Sequence, residues 1–210
     1  MTREERLRII DKGKSQLTDD RLMLAYTLLD EKKRGTHMGC AIGAPDSATQ
    51  HEYARRAVVE YFTNARDLVD RLQIPCAIKE PYENSEKIWR FQILCARNAE
   101  DLRELERLDG AEGVAREFGV MMGYPQTAVE AFMTPEMVSP DEYREIMKRN
   151  EELYGFLDFR PSRTHLKEEL AFVRRRKELI EKNCPRLYAQ IRGGIQPWLR
   201  YFLLKLRKRR

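Results

Sequence analysis

Three stretches of the chain repeat apolar residues at the spacing of an amphipathic helix. The first follows Thr18 and ends at the basic and glycine residues 32–35, which are typical of a helix end. The second follows Ser47, which can form a capping box with Gln50, and continues to residue 72. The third begins at the run SPDE, residues 139–142, and is predicted to extend to about residue 154.

Three shorter stretches alternate apolar and polar residues with the period of a β-strand. They span residues 36–42, 74–78 and 89–95, and a helix is predicted to follow the third strand as far as residue 108. The order strand, helix, strand, strand, helix predicts an α+β fold. We expect a small three-stranded sheet with helices on one face, followed by a helical C-terminal half.

Changes in this pattern divide the chain into three ranges. Residues 1–35 are predicted to form N-terminal helices, residues 36–109 the α+β unit, and residues 110–210 a helical region with a basic amphipathic C-terminus. The sequence contains no internal repeat and no low-complexity linker. The three ranges therefore either form separate domains or share one core.

The four cysteines are at positions 40, 76, 95 and 184. Strand alternation places Cys40, Cys76 and Cys95 with the apolar residues of their strands and His37 on the opposite face. We expect buried core thiols, and no metal or cofactor. The spacing His37-x-x-Cys40 leaves a structural zinc site as an alternative, and a cysteine nucleophile paired with a histidine is another.

Residues 43–47, GAPDS, connect the first predicted strand to a helix start, where backbone amides can bind phosphate. Neither a GxGxxG nor a GxxxxGK[ST] pattern is present, and Asp46 would repel an anion. The sequence also lacks a recognisable set of residues for acid–base or nucleophilic catalysis. A small-ligand binder or enzyme that uses this turn is the alternative to a non-enzymatic binding protein.

Residues 113–132 resemble the helix-turn-helix family at six positions around Gly123, which is taken as the turn glycine. The matching residues are Gly119, Phe118, Met122, Tyr124, Val129 and Phe132. A sharp corner between two short helices requires a residue that can adopt a positive φ. In the family, polar or basic side chains of the second helix contact DNA, whereas the corresponding positions here contain no Lys or Arg. The segment predicts either a structural hairpin or a contact surface for nucleic acid or protein.

The same segment, together with the run FRPSRTHLKEEL at residues 159–170, also resembles an uncharacterised, mainly archaeal protein family. The resemblance implies no activity. It agrees with the lack of a recognisable catalytic motif in the sequence.

The net charge of +5 and the pI of about 9.0 favour a polyanionic partner. Basic residues gather late in the chain, and residues 198–206 have one apolar arc when drawn as a helix. The predicted nucleic-acid-binding residues are Arg174, Arg175, Arg176, Lys177, Arg200, Lys205, Arg207, Lys208, Arg209 and Arg210. We expect them to contact the phosphates of RNA, DNA or a ribonucleoprotein. Packing of the last helix on its own domain, or on an anionic membrane surface, is the alternative.

The first 14 residues are charged throughout, and no window contains the ~20 apolar residues that a transmembrane helix needs. We therefore expect a cytoplasmic protein without a transmembrane segment. In that compartment the cysteines stay reduced.

Overall fold

The computed structural model describes residues 1–43, 47–84 and 86–193. The helices in this part of the chain are α1 Arg3–Asp11, α2 Thr18–Leu29, α3 Ala48–Leu72, α4 Ala99–Leu108, α5 Ala115–Met121, α6 Gln126–Phe132, α7 Pro140–Arg149, α8 Leu166–Asn183 and α9 Pro185–Gly193. The strands are β1 Gly35–Gly43, β2 Cys76–Glu83 and β3 Ile88–Ala96. Short 3₁₀ helices at Ser15–Leu17 and Glu151–Leu153 precede α2 and follow α7.

The three strands form an antiparallel sheet in the order β1-β3-β2. Met38 of β1 and Ile78 of β2 both pair with Ile93 of β3, so the apolar residues predicted to share a face do so. The α+β class, the three strands and their order along the chain are confirmed.

The two helices of the α+β unit lie on opposite faces of the sheet, whereas the sequence predicts them on one face. Helix α3 covers the face of Met38 and Ile93, which belong to the main hydrophobic core. Helix α4 packs on the other face, where Leu105 and Leu108 form a second cluster with Leu94. The physical reason is the central position of β3, in which the successive residues of the run ILCA are all buried.

The main hydrophobic core takes side chains from all three predicted ranges. Tyr26 of α2, Phe91 of β3 and Ile180 of α8 are members of it. The Tyr26 hydroxyl also donates a hydrogen bond of 3.2 Å to the carbonyl of Phe156. These contacts favour a shared core, and the division into separate domains stays a prediction.

The predicted helix starts at Ser47 and Ser139 are both observed as side-chain caps. The Ser47 hydroxyl accepts from the Gln50 amide at 3.3 Å, and Ser139 forms a reciprocal capping box with Glu142. Helix α7 ends earlier than predicted, at Arg149, because a 3₁₀ turn follows it.

Candidate functional site

A buried guanidinium joins the helical half to the end of α2. Arg176 of α8 is only 2% exposed, and its guanidinium forms salt bridges with Asp30 at 2.8 Å and Asp158 at 3.2 Å. The guanidinium carbon lies 4.7 Å from the ring centroid of Tyr26 and 4.4 Å from that of Phe172. Two carboxylates and two aromatic rings thus offset the loss of water around this charge.

The same region fixes the corner of the α5–α6 hairpin through three successive carbonyl oxygens. The carbonyls of Met121, Met122 and Gly123 accept from the Arg34 amide at 3.0 Å, the Lys33 Nζ at 2.9 Å and the Arg176 Nη2 at 2.8 Å, respectively. Carbonyls at a helix end lack partners within the helix, and positive groups suit the negative end of the helix dipole. The side chains of Lys33 and Arg176 therefore bind the corner of the hairpin through its backbone carbonyls.

Lys33 is fully buried beneath the hairpin. Burial lowers the pKa of its ammonium to about 8. Its Nζ lies 5.8 Å from the ring centroid of Tyr124. Lys33 therefore contacts the corner through this ring as well as through the Met122 carbonyl. A lysine with a lowered pKa can mark a reactive group, but no substrate can reach this one.

The corner between the two hairpin helices has the backbone conformation that the sequence predicts for Gly123. Gly123 adopts a positive φ of 70°, and α6 begins directly after Pro125. A Cβ atom at Gly119 would lie 2.8 Å from a methyl group of Val129, so only glycine allows the two helices to cross this closely. The predicted turn is therefore confirmed.

The exposed face of α6 does not carry the chemistry of a DNA-recognition helix. Its exposed residues are Gln126, Glu130 and Phe132, and Glu130 forms a salt bridge of 3.1 Å with Arg116. Phe132 is 62% exposed and the adjacent Met133 is 58% exposed. A carboxylate and apolar side chains favour contacts other than phosphate. Binding of nucleic acid through this hairpin stays a prediction. Helix α6 contains no lysine or arginine that could contact a phosphate.

The structure corrects one of the predicted nucleic-acid-binding residues. Arg176 cannot contact phosphate, because it is buried and already paired with two carboxylates. Arg174 and Arg175 are exposed and Lys177 is half-buried. Arg174 donates to Asn150 Oδ1 at 2.8 Å and lies 3.5 Å from the carboxylate of Glu152. The other predicted residues, Arg200, Lys205, Arg207, Lys208, Arg209 and Arg210, lie outside the described residues.

An apolar cleft of about 630 Å³ opens beside the α5–α6 hairpin. The loop 109–113, both hairpin helices and the connection at residues 159–160 form its walls. Its larger apolar lining residues are Val114, Phe118, Tyr124, Val129, Phe132, Met137 and Phe159. Several of these side chains are half-buried, and the rings of Tyr124 and Phe159 are 5.8 Å apart. Sequence reasoning missed this cleft, although it identified the hairpin that forms one side of it.

Two charged residues line the cleft. The Asp109 carboxylate accepts from Lys79 Nζ at 2.8 Å and from Gln92 Nε2 at 2.7 Å. Arg160 is exposed and forms no hydrogen bond or salt bridge within the described part of the chain. The cleft thus combines apolar walls with one exposed arginine at its rim that has no hydrogen-bond or salt-bridge partner in the described part of the chain.

The strand-to-helix turn at residues 43–47 is described only at its two ends, since Ala44, Pro45 and Asp46 lie outside the described residues. Beyond it, His51 Nε2 lies 2.8 Å from a carboxylate oxygen of Glu83 and 3.3 Å from Trp89 Nε1. His37 belongs to the opposite sheet face, where burial lowers its pKa. The structure therefore does not bring His37 and His51 together.

The cysteines of the sheet share the core-facing side, as predicted, but differ in burial. Cys95 is buried, whereas Cys40 and Cys76 are half-buried. Burial raises the pKa of all three thiols, and it raises the pKa of Cys184 to about 12. Raised pKa values disfavour the reactive thiolate, so none of these residues has the electrostatics of an activated nucleophile.

Within the described residues, no cluster of three or more His, Cys, Asp or Glu side chains has a metal-binding arrangement. No helix in that part of the chain is long and apolar enough to cross a membrane. Comparison of the chain with protein-family models, curated proteins and solved structures found no match in any of the three.

Proposed function

We propose that the protein is a non-enzymatic cytoplasmic binding protein that contacts the phosphates of RNA or DNA, alone or in a ribonucleoprotein. The contacts come from exposed basic residues of α8 and from residues 200–210. Charge segregation carries this proposal. Residues 194–210 contain six of the 39 basic residues and none of the 34 acidic ones, so residues 1–193 contain 33 basic and 34 acidic residues. The excess positive charge is therefore confined to one short segment.

Exposed basic residues on the two described helices that precede this segment also support the proposal. Helix α9 leads directly into residues 194–210 and packs against α8. Arg175 of α8 and Arg186 of α9 are exposed. Such point charges bind the nucleic-acid backbone with little dependence on base sequence, because they contact phosphates and not base edges.

The test is the salt dependence of binding to a fluorescent single-stranded RNA and a DNA duplex. A chain that ends at Leu204 lacks five positive side chains of the proposed surface. Its affinity is expected to fall, and the slope of log K against log salt to flatten by ~0.7 to 0.9 for each lost phosphate contact.

The matched control removes the same number of charges elsewhere. It replaces five exposed basic residues of α4 and α7 by Gln: Arg103, Arg107, Arg144, Lys148 and Arg149. Its salt slope should remain closer to that of the unaltered chain. Equal slopes for the unaltered and shortened chains would exclude the segment as the binding surface. Binding of the unaltered chain to anionic vesicles but not to RNA or DNA would instead favour a membrane surface.

The alternative function, a small-ligand binder or enzyme at residues 43–47, stays a prediction. The described cleft of about 630 Å³ lies elsewhere, at the α5–α6 hairpin. If the protein binds a small ligand, the position of this cleft favours the α5–α6 hairpin over residues 43–47 as the binding site.

A further inference from the structure

We propose that the cleft beside the α5–α6 hairpin binds an apolar carboxylate, such as a medium-chain fatty acid, with its chain between the hairpin and Phe159 and its carboxylate on Arg160. Small-molecule sites are concave, mostly apolar and of ~300 to 1,000 Å³, with a few polar groups that orient the ligand. The cleft, at about 630 Å³, falls within this range. Arg160 is the orienting group.

The walls of the cleft are held open by the backbone around it. Gly110 and Gly113 adopt φ values of 76° and 75°, which shape the loop that forms one wall. The opposite wall is the hairpin, whose crossing at Gly119 and whose buried support at Lys33 fix its position. The backbone thus sets the positions of both walls, and a ligand can gain free energy by removing the apolar surface between them from water.

The charge at the cleft selects an anion. Asp109 already accepts from Lys79 and Gln92, so its charge is neutralised locally. Arg160 has no such partner in the described part of the chain. A guanidinium offers two parallel donors that match a carboxylate. A ligand with an apolar body and one carboxylate complements both features of the cleft.

Charge also argues against two other occupants. Residues 194–210 have apolar positions that could enter the cleft, but they carry six basic residues and would bring like charge towards Arg160. A second copy of the chain that docks symmetrically through the cleft would bring one Arg160 towards the other. A small anion avoids both repulsions.

The test compares octanoate with octanol, which have chains of the same length but differ in charge. Isothermal titration calorimetry on the full chain should show tighter binding of octanoate. Arg160→Gln should weaken octanoate binding about fivefold, the effect of one exposed ion pair, and leave octanol unchanged. The matched control, Arg103→Gln, removes an exposed arginine of α4 that does not line the cleft and should change neither ligand.

A second variant tests the location of the chain. Ala115 lines the cleft and is half-buried, so Ala115→Phe should fill part of the volume and weaken both ligands about tenfold. If this variant fails to fold, Phe132→Ala replaces it. Phe132 lines the cleft but is 62% exposed, so its truncation should leave the fold intact and still weaken both ligands.

Several results would overturn the proposal. Binding of neither ligand at about 2 mM would exclude a site of even millimolar affinity. Equal weakening of octanoate and octanol by Arg160→Gln would remove the carboxylate contact. Octanoate binding by Phe202→Glu but not by the unaltered chain would indicate that residues 194–210 occupy the cleft, and a dimer that dissociates on Phe132→Glu but not with octanoate would indicate a second copy.

Discussion

Arg176 and Asp30 are 146 residues apart in the chain and form a buried salt bridge of 2.8 Å. Their partners extend the interaction, because the same guanidinium also contacts Asp158 and the carbonyl of Gly123. One side chain thus joins α8 to the end of α2, to the connection after α7 and to the corner of the α5–α6 hairpin. A residue in this position determines how the helical half packs.

Replacement of this arginine should be strongly destabilising. Arg176→Gln removes the charge and leaves two largely buried carboxylates without their salt-bridge partner, which typically costs about 3 to 5 kcal/mol. The matched control is Arg175→Gln, since Arg175 is adjacent and exposed and its loss should change stability by less than about 0.5 kcal/mol. Urea unfolding followed by circular dichroism measures both. Similar midpoints for the two variants would contradict the role assigned to Arg176.

The corner of the hairpin gives a second prediction. Gly123 has a φ of 70°, and a Cβ at this position would lie 2.6 Å from the Cα of Lys33. Gly123→Ala should therefore combine backbone strain of about 1 to 2 kcal/mol with a steric clash, and the β-branched Gly123→Val should be more destabilising still.

Gly113→Ala separates these two effects. Gly113 has a nearly equal φ of 75°, but nothing lies within 4 Å of the position that its Cβ would occupy. Gly113→Ala should therefore lower the free energy of unfolding by the backbone strain alone. Unfolding free energies that are equal for Gly113→Ala and Gly123→Ala would show that the close contact with Lys33 is unimportant.

Local patterns in the sequence account for much of this fold. The period-2 alternation of the strands predicts which side of the sheet Met38 and Ile93 occupy, because side-chain direction in a strand follows from the backbone. The Gly123 corner is predictable for a similar reason, since few residues accept its φ. The run ILCA in β3 contained the signal for a sheet covered on both faces, as four successive apolar residues leave no polar face at that point.

Long-range relationships could not be predicted in this way. The run of four basic residues at 174–177 gives no sign that its third member is buried, because that depends on Asp30 and Asp158 from distant parts of the chain. The cleft depends on the loop 109–113 and on Phe159 meeting at the hairpin, which no periodic pattern encodes. Both features arise from tertiary packing.

The sheet gives a prediction for the stability of the hydrophobic core. Phe91 is buried and packs against the rings of Tyr61 and Phe62, with centroid distances of 5.8 and 5.3 Å. Phe91→Ala should cost about 3 to 5 kcal/mol, measured by urea unfolding. The exposed Phe132 is the control, and Phe132→Ala should cost much less.

The cysteines should differ in their rates of alkylation in the native protein. Cys95 is buried and should react only when the protein unfolds, whereas the half-buried Cys40 and Cys76 should react slowly at neutral pH. Their raised pKa values keep the thiolate fraction below that of a free cysteine. Mass spectrometry of iodoacetamide-treated protein measures each site. Labelling of Cys95 as fast as that of Cys40 would contradict its burial in the core.

The last prediction concerns pH and the buried carboxyl of Asp20. The Tyr61 hydroxyl donates a hydrogen bond of 2.5 Å to this carboxyl. Burial nevertheless raises the pKa of Asp20 from 3.8 to about 6. The folded protein therefore binds the proton more tightly than the unfolded chain does, so stability falls as the pH rises. The contribution of the neutral carboxyl is complete below a pH of about 4 and is lost as the pH rises through about 6.

Asp20→Asn should remove this part of the pH dependence, because the amide stays neutral and its oxygen can still accept from Tyr61. Between pH values of about 4 and 7, the free energy of unfolding of the unaltered chain should fall by about 2 to 3 kcal/mol more than that of the variant. Asp19→Asn is the matched control, since Asp19 is adjacent and exposed and its charge is the smallest cause of the raised pKa of Asp20, so most of the pH dependence should remain. Urea unfolding across this pH range measures the difference, and parallel profiles for Asp20→Asn and the unaltered chain would show that Asp20 ionises normally in the folded protein.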